Sequence, residues 1–381
     1  MPAFISDIEE LPAGGFYLYG AGAAAQQIKA ALSAGQKPRQ FLGFLTSFAA
    51  GANSDQQIYH LDDILPRISA ADNIVIACQY SREIGHDLAA KKIPATMFDA
   101  ILLVFDWPQC GWSEGKKADF EARATVVAQR LKSERSQALY RALCQFQLNS
   151  DAERVPDLYS GFYRTMDRFY GTGDAYDSSH YFEYDVFDSV KTVIEGGSNI
   201  GAVSQQLLNH LPPEGRLYSF EPMADEIAAA YKGHRILEQL KREAAAGRYM
   251  LIDKALWSET SSLYMHGSGG NFSTHHLAHT GDAADRVATI SIDDFCAENQ
   301  IDKLDFLKLD VEAAEPYVLE GARQTIARDR PALAISIYHH GIQFVTVPEQ
   351  LMAMLENYEF EIGHHSNSPI LETVLYCKPL G

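Results

Sequence analysis

Two stretches of the chain carry the residues best suited to chemistry. In DFLKLDVEAAE, Lys308 and Asp310 alternate along an apolar strand and so share one face, while Glu312 and Glu315 open the helix that follows. The next apolar strand, PALAISIYHH, ends in His339 and His340. A carboxylate and an imidazole at neighbouring strand ends are suited to taking a proton from a hydroxyl and orienting what remains. The same oxygen and nitrogen donors could hold a divalent metal that lowers a hydroxyl's pKa. The spacing alone specifies no metal site, and none is predicted.

The second stretch, VIEGGSNIG, runs from apolar residues into Glu195, Gly196, Gly197, Ser198, Asn199, Ile200 and Gly201. Glycines between a strand and a helix let the backbone approach a ligand, and the helix N-terminus offers free N–H groups. No glycine occupies position 199, so the spacing departs from the dinucleotide fingerprint and a pyrophosphate is not the expected guest. Glu195 suits a positively charged amino group. Glu221, followed by Pro222 at the end of YSFEP, suits ribose hydroxyls. S-adenosylmethionine has both features. Asp253, in the run Asp253, Lys254, Ala255 after the third strand, is placed to accept from an adenine amino group.

Such residues work only if strand ends are brought together, and the pattern supplies a scaffold for that. From Lys191 onward apolar strands alternate with amphipathic helices, the signature of an α/β domain built on a parallel sheet. The same alternation runs through an earlier segment, so a smaller Rossmann-like domain is expected over 1–105 and the larger one over 181–381. Between them, 106–180 reads as a helical linker followed by an aromatic, Gly- and Asp-rich segment. ADFEARATVVAQRLKSERSQALYRALCQF is expected to be one interdomain helix. A length of 381 residues agrees with two domains.

The smaller domain has its own glycine loop. YGAGAAA fits G-x-G-x-x-A through Gly20, Gly22 and Ala25 after a strand, but the second strand ends in Thr46 and Ser47 without the acid that an NAD ribose needs. An NAD(P)-dependent oxidoreductase, or a nucleotide-sugar-binding protein using this loop, is therefore the alternative reading. A non-catalytic S-adenosylmethionine-binding protein is a third.

A formal net charge of −18 opposes contact with phosphate backbones or anionic lipid, so neither nucleic acid nor membrane is expected as partner. Cys78, Cys110, Cys144, Cys296 and Cys377 are scattered singly, without a C-x-x-C pair. The acidic N-terminus MPAFISDIEELPAGG lacks the features of a signal peptide, and a cytoplasmic protein is expected.

Taken together and in order, YFEYDVF, VIEGGSNIG, YSFEP, the KAL segment, SIDDF, FLKLDVEAAE and AISIYHH…HHSNSPILETVLYC resemble the FkbM-type S-adenosylmethionine-dependent methyltransferases over about 180–378. The resemblance implies a class I methyltransferase fold, S-adenosylmethionine as donor, and hydroxyls of sugars, glycoconjugates or secondary metabolites as acceptors. The acceptor would be a small molecule or glycan, and a homo-oligomer is compatible with the reading. Two positions depart from the family pattern: Glu195 replaces the usual Asp, and Ala313 the usual Gly. Transfer to an alcohol is an in-line displacement that needs a base near the methyl group. Asp310 and His339 are the candidates, with His339 the better matched by its ordinary pKa. Glu312 and His340, together with His275 and His276 from the Gly- and His-rich HGSGGNFSTHHLAHTGD, are expected to face the acceptor. That segment shows neither helical nor strand period.

Overall fold

The computed structural model describes every residue except 1–2, 6–7, 22, 47–56, 70, 78–80, 99–113, 150–180, 267–275, 281–285, 366–370 and 381. Gly22, Ser47, Cys78, Cys110, His275 and the aromatic segment before Tyr181 lie outside the described residues. By its internal contacts the chain divides into two compact units. One comprises Met1–Lys117, Gln145–Tyr163 and His365–Leu371; the other comprises Ala118–Cys144, Arg164–His364 and Glu372–Gly381.

The first unit is built on a six-stranded parallel sheet from β1 (Ala3–Ile5), β2 (Gly14–Tyr19), β3 (Arg39–Thr46), β4 (Ile58–His60), β5 (Asn73–Ile76) and β6 (Thr96–Phe98), in the order β1-β6-β5-β2-β3-β4. Strand side chains alternate between faces. Phe16 and Leu18 of β2 pack with Ala25, Ile28 and Leu32 of the helix Ala23–Ala34, while Tyr17 and Tyr19 pack with Ile84 and Leu88 of the helix Ser81–Ala90. Covering both faces is what permits an all-parallel sheet.

In the second unit, β7 (Thr192–Gly196), β8 (Arg216–Phe220), β9 (Tyr249–Ile252), β14 (Phe306–Leu309), β15 (Ala332–Ser336), β16 (Tyr358–His364) and β17 (Thr373–Pro379) form a sheet ordered β16-β17-β15-β14-β7-β8-β9. The five strands from β15 to β9 are parallel, and β17 runs antiparallel to β15 and β16. The chain leaves β7 for β8 on one side and returns to β14 on the other, so β7 and β14 flank the point where the strand order reverses. Ligands of open α/β sheets bind beyond the strand C-termini at such a point. Val193, Ile194, Leu307, Leu309, Leu333 and Ile335 are fully buried there, each contributing about 2 kcal/mol of burial.

Four short strands, β10 (Ala255–Leu256), β11 (Ser262–His266), β12 (His276–Ala278) and β13 (Arg286–Ile290), form a separate sheet ordered β10-β13-β11-β12. The Gly- and His-rich segment, expected to lack strand character, thus has paired ends: His266 sits opposite His276, and Tyr264 opposite Ala278. Its polar composition masked a strand only three residues long.

The expected interdomain helix is two helices, Glu114–Arg130 and Glu134–Asn149. Ser133 Oγ accepts the Ser136 N–H at 3.1 Å, a side-chain cap that starts the second helix. Residues 118–144 pack within the second unit. Arg123 pairs with Glu349 at 2.6 Å, Lys132 donates its N–H to Phe360 O at 2.9 Å, and the buried Tyr140 hydroxyl donates to Phe344 O at 2.6 Å. Among the described residues no helix is long and apolar enough to cross a membrane.

Candidate active site

The loop after β7 closes against the residues that follow β14. Gly197 has φ 74°, and a Cβ added there would lie 1.8 Å from the carbonyl oxygen of Asp310. Gly201, at φ 85°, would place a Cβ 2.3 Å from Leu240 Cδ1. Only glycine meets both demands. Between them Asn199 takes φ 49° and donates its N–H to Glu221 Oε2 at 2.8 Å, while the Met223 N–H donates to Oε1 at 3.1 Å. Glu221, just beyond β8, therefore fixes the loop and keeps a second acceptor site on each oxygen. Burial pushes its carboxyl above the ordinary value, against those two N–H groups. Ser198 Oγ is buried and makes no hydrogen bond among the described residues, a polar atom that a ligand seated on this loop would satisfy.

Glu195 points into the sheet. Its carboxylate is fully buried and accepts from Ser204 Oγ at 2.6 Å and Ser219 Oγ at 2.5 Å. The charge expected to meet a ligand's amino group is enclosed, because Lys308 lies opposite Glu195 in the β7–β14 register and both side chains share one face. Lys308 Nζ donates to Gly197 O at 2.7 Å and to Gly196 O at 3.3 Å, and it stands 3.9 Å from both Glu195 Oε1 and Asp310 Oδ2. This buried cation ties the glycine loop to the far side of the site.

That far side is a cluster of carboxylates around one imidazole. His339 Nε2 lies 3.3 Å from Asp310 Oδ1 and 3.6 Å from Glu312 Oε2, and Nδ1 lies 3.0 Å from Glu315 Oε1. Tyr181 and Tyr338 donate their hydroxyls to Asp310 at 3.0 and 3.1 Å. Glu315, wholly buried, accepts from the Val311 N–H at 2.9 Å and from Gln343 Nε2 at 3.3 Å. Burial opposes ionisation of Asp310, but Lys308 and then His339 hold its carboxyl well below the ordinary range. Burial likewise opposes a charge on His339, yet Glu315, Glu312 and Asp310 hold the imidazole well above its ordinary value. Its surroundings therefore favour a charged, orienting imidazolium over the near-neutral base that its residue type suggested. Burial raises Glu312 to about 8 and Glu372 to about 7, with Asp310 adding to each.

The sequence reading brought Asp310, His339 and Glu312 together, and it named Lys308 and Glu315 without assigning either to the site. Tyr181, Tyr338 and Glu372 were missed. Tyr338 neighbours His339 and could have been flagged; Tyr181 and Glu372 meet Asp310 only through the fold. Asp253 is exposed beyond β9, its carboxyl raised by partial burial and by Asp225 and Glu226, with Lys254 half-buried and Ala255 buried beside it. Pro222 is half-buried after Glu221. His340 is exposed and donates its N–H to Gln343 Oε1 at 3.2 Å. His275 and the side chain of His276 lie outside the described residues.

Ala313, where the resembled family has glycine, has φ 75°, directly after Glu312 at φ 51°. The turn into the helix Glu315–Glu320 thus uses the left-handed conformation that glycine adopts without cost.

A glycine loop, an acid beyond the second strand and a polar cluster at the switch point of a sheet closed by an antiparallel β17 are the arrangement of the Rossmann-like class I methyltransferase fold. Residues 195–362 match the family model described as the methyltransferase FkbM domain, so the second unit carries an FkbM methyltransferase domain. The crystal structure of the methyltransferase FkbM from Methylobacillus flagellatus KT shares the fold, with a TM-score of 0.60 at 18% identity over 96% of this chain and 90% of that one. The O-methyltransferase TomG from Streptomyces achromogenes, solved with SAM, is more distant: TM-score 0.32, 12% identity, 71% of this chain and all of that one (100%). No curated protein matches the chain.

Proposed function

We propose that the second unit is an O-methyltransferase that uses S-adenosylmethionine to methylate a hydroxyl of a sugar, glycoconjugate or secondary metabolite. The observation that carries this reading is that one sheet edge joins the Gly197–Glu221 loop to the Asp310–His339 cluster through the buried Lys308. S-adenosylmethionine supplies an electrophilic methyl group on a positively charged sulfur. Glycines 196, 197 and 201 let the backbone approach it, Ser198 and Asn199 line the loop, and Glu221 accepts from its ribose hydroxyls. Asp253, with Lys254 and Ala255, takes the adenine edge. Glu195 acts at one remove, by holding Lys308 and the loop.

At the acceptor, Asp310 is the oxygen best fixed for receiving a hydroxyl, since Tyr181, Tyr338 and His339 all hold it. Glu312, a third exposed, stands where a proton can be passed on. His339 keeps the carboxylates in place. Alignment of oxygen and methyl is what such a site chiefly supplies, and good alignment is worth roughly 7–11 kcal/mol of a bimolecular barrier. A small-molecule or glycan acceptor in the cytoplasm fits the net charge of −18 better than a phosphate-rich polymer.

The test is release of S-adenosylhomocysteine from S-adenosylmethionine with a panel of sugars, nucleotide sugars and hydroxylated metabolites. Turnover on at least one acceptor is expected, with Asp310→Asn lowering it by about 100-fold or more. Binding of the donor without turnover on any acceptor would favour a sensing protein.

A further inference from the structure

We propose that Asp310, Glu315 and His339 bind a single divalent metal ion, with Glu312 as a further oxygen donor. One donor atom from each of the first three lies within 4.8 Å of the others. A first-row ion takes nitrogen and oxygen at about 2.0–2.2 Å, so small side-chain adjustments would close the three around it.

Proximity of acids is not enough, and the second observation concerns His339. Its side chain is 6% exposed, yet neither ring nitrogen makes a hydrogen bond of acceptable geometry despite oxygens at 3.0 and 3.3 Å. Buried polar groups ordinarily find aligned partners. An imidazole aimed between carboxylates but aligned with none has the placement of a metal ligand. The supporting groups are also those of a metal site: Tyr181 and Tyr338 fix Asp310, while Val311 N–H and Gln343 Nε2 fix Glu315.

The donor set contains one imidazole and otherwise oxygen, with no thiolate, which suits Mn²⁺ or a similar ion better than a thiophilic one. Asp310 and Glu312 remain 24% and 31% exposed, leaving room for water or an acceptor oxygen on the ion. Under the transferase reading, on which only this role rests, the ion would hold the acceptor hydroxyl and ease its deprotonation.

The experiment uses the full-length chain, treated with a chelator, dialysed and titrated with MnCl₂ by calorimetry and by the electron paramagnetic resonance of free Mn²⁺. One ion per chain is expected, and His339→Ala should weaken binding at least about tenfold. Circular dichroism checks the fold of that variant; should it fail, Asp310→Asn decides by the same criterion. No saturable uptake by the wild-type chain, or uptake unchanged in a folded variant, overturns the site. S-adenosylhomocysteine is titrated in parallel. Its binding without Mn²⁺ uptake overturns this inference alone, and Mn²⁺ uptake without it supports the site while removing the transferase reading.

Discussion

The chain holds two glycine loops, one after β2 and one after β7, and among the described residues the second is tied to buried charges. After β2 the backbone turns at Gly20, φ 110°, and Gly20 N–H donates to Leu45 O at 3.0 Å, but β3 ends at Thr46 with no acid to receive a ribose. After β7 the loop is held by Glu221, by Lys308 and by the Asp310 N–H, which donates to Gly196 O at 3.1 Å. The βαβ frame is common to both. In the second unit the buried ionisable residues at the ends of β7, β8 and β14 set the site apart from the frame, and function follows such residues more than the frame.

The sharpest way to break the comparison is to substitute each glycine in turn. Gly197→Ala drives a Cβ into Asp310 O, and we expect it to lower S-adenosylhomocysteine affinity about 100-fold or to unfold the second unit. Gly20→Ala strains the first loop but should leave that affinity within about threefold, because the sites are distant in function. Calorimetry on both variants decides, and equal losses would refute the assignment of the donor to the second loop. NAD is expected to give no saturable heat with the wild-type chain.

Next in size is Lys308→Met. It leaves Glu195 and Asp310 without their shared buried cation, and breaking a buried ion pair costs about 3–5 kcal/mol. Urea unfolding should show a loss of that order, and a change under about 1 kcal/mol would deny Lys308 its linking role.

Smaller again is Ala313→Gly. Relief of a left-handed alanine should stabilise the second unit by about 1 kcal/mol, read as a higher urea midpoint at unchanged slope. A destabilised variant would show that the alanine methyl contributes packing instead.

The smallest effect is a pH slope. Burial raises Glu195, opposed first by Lys308, so the folded state binds a proton more readily than the unfolded one. The resulting stability is complete below the unfolded carboxyl pKa and is lost as pH rises through the folded value. Glu195→Gln cannot titrate, so its thermal stability relative to wild type should rise as pH climbs above the ordinary carboxyl range. A parallel pair of profiles would mean Glu195 stays ionised throughout.

Much of this site was legible in the sequence because strand periodicity places residues on faces. In DFLKLDV the alternation of Lys308 and Asp310 marked a shared face, and the spacing of VIEGGSNIG marked the turn. Partners from distant chain segments were not legible: Tyr181 and Glu372 reach Asp310 from outside its βαβ unit, and no local pattern announces that. The inward turn of Glu195 depended on Ser204 and Ser219, polar residues that look unremarkable in a helix and a strand. One helix break did have a signal, Ser133 as a cap between Glu114–Arg130 and Glu134–Asn149. Apolar spacing that continued across the break hid it.

The central claim, that the second glycine loop seats the methyl donor, is tested most directly by titrating the purified chain with S-adenosylhomocysteine beside Glu221→Ala. We predict micromolar binding at one site per chain, weakened tenfold or more by the substitution, as loss of charged hydrogen bonds of about 1.5–3 kcal/mol requires. No heat and no thermal stabilisation at saturating ligand, or binding indifferent to Glu221, would contradict it.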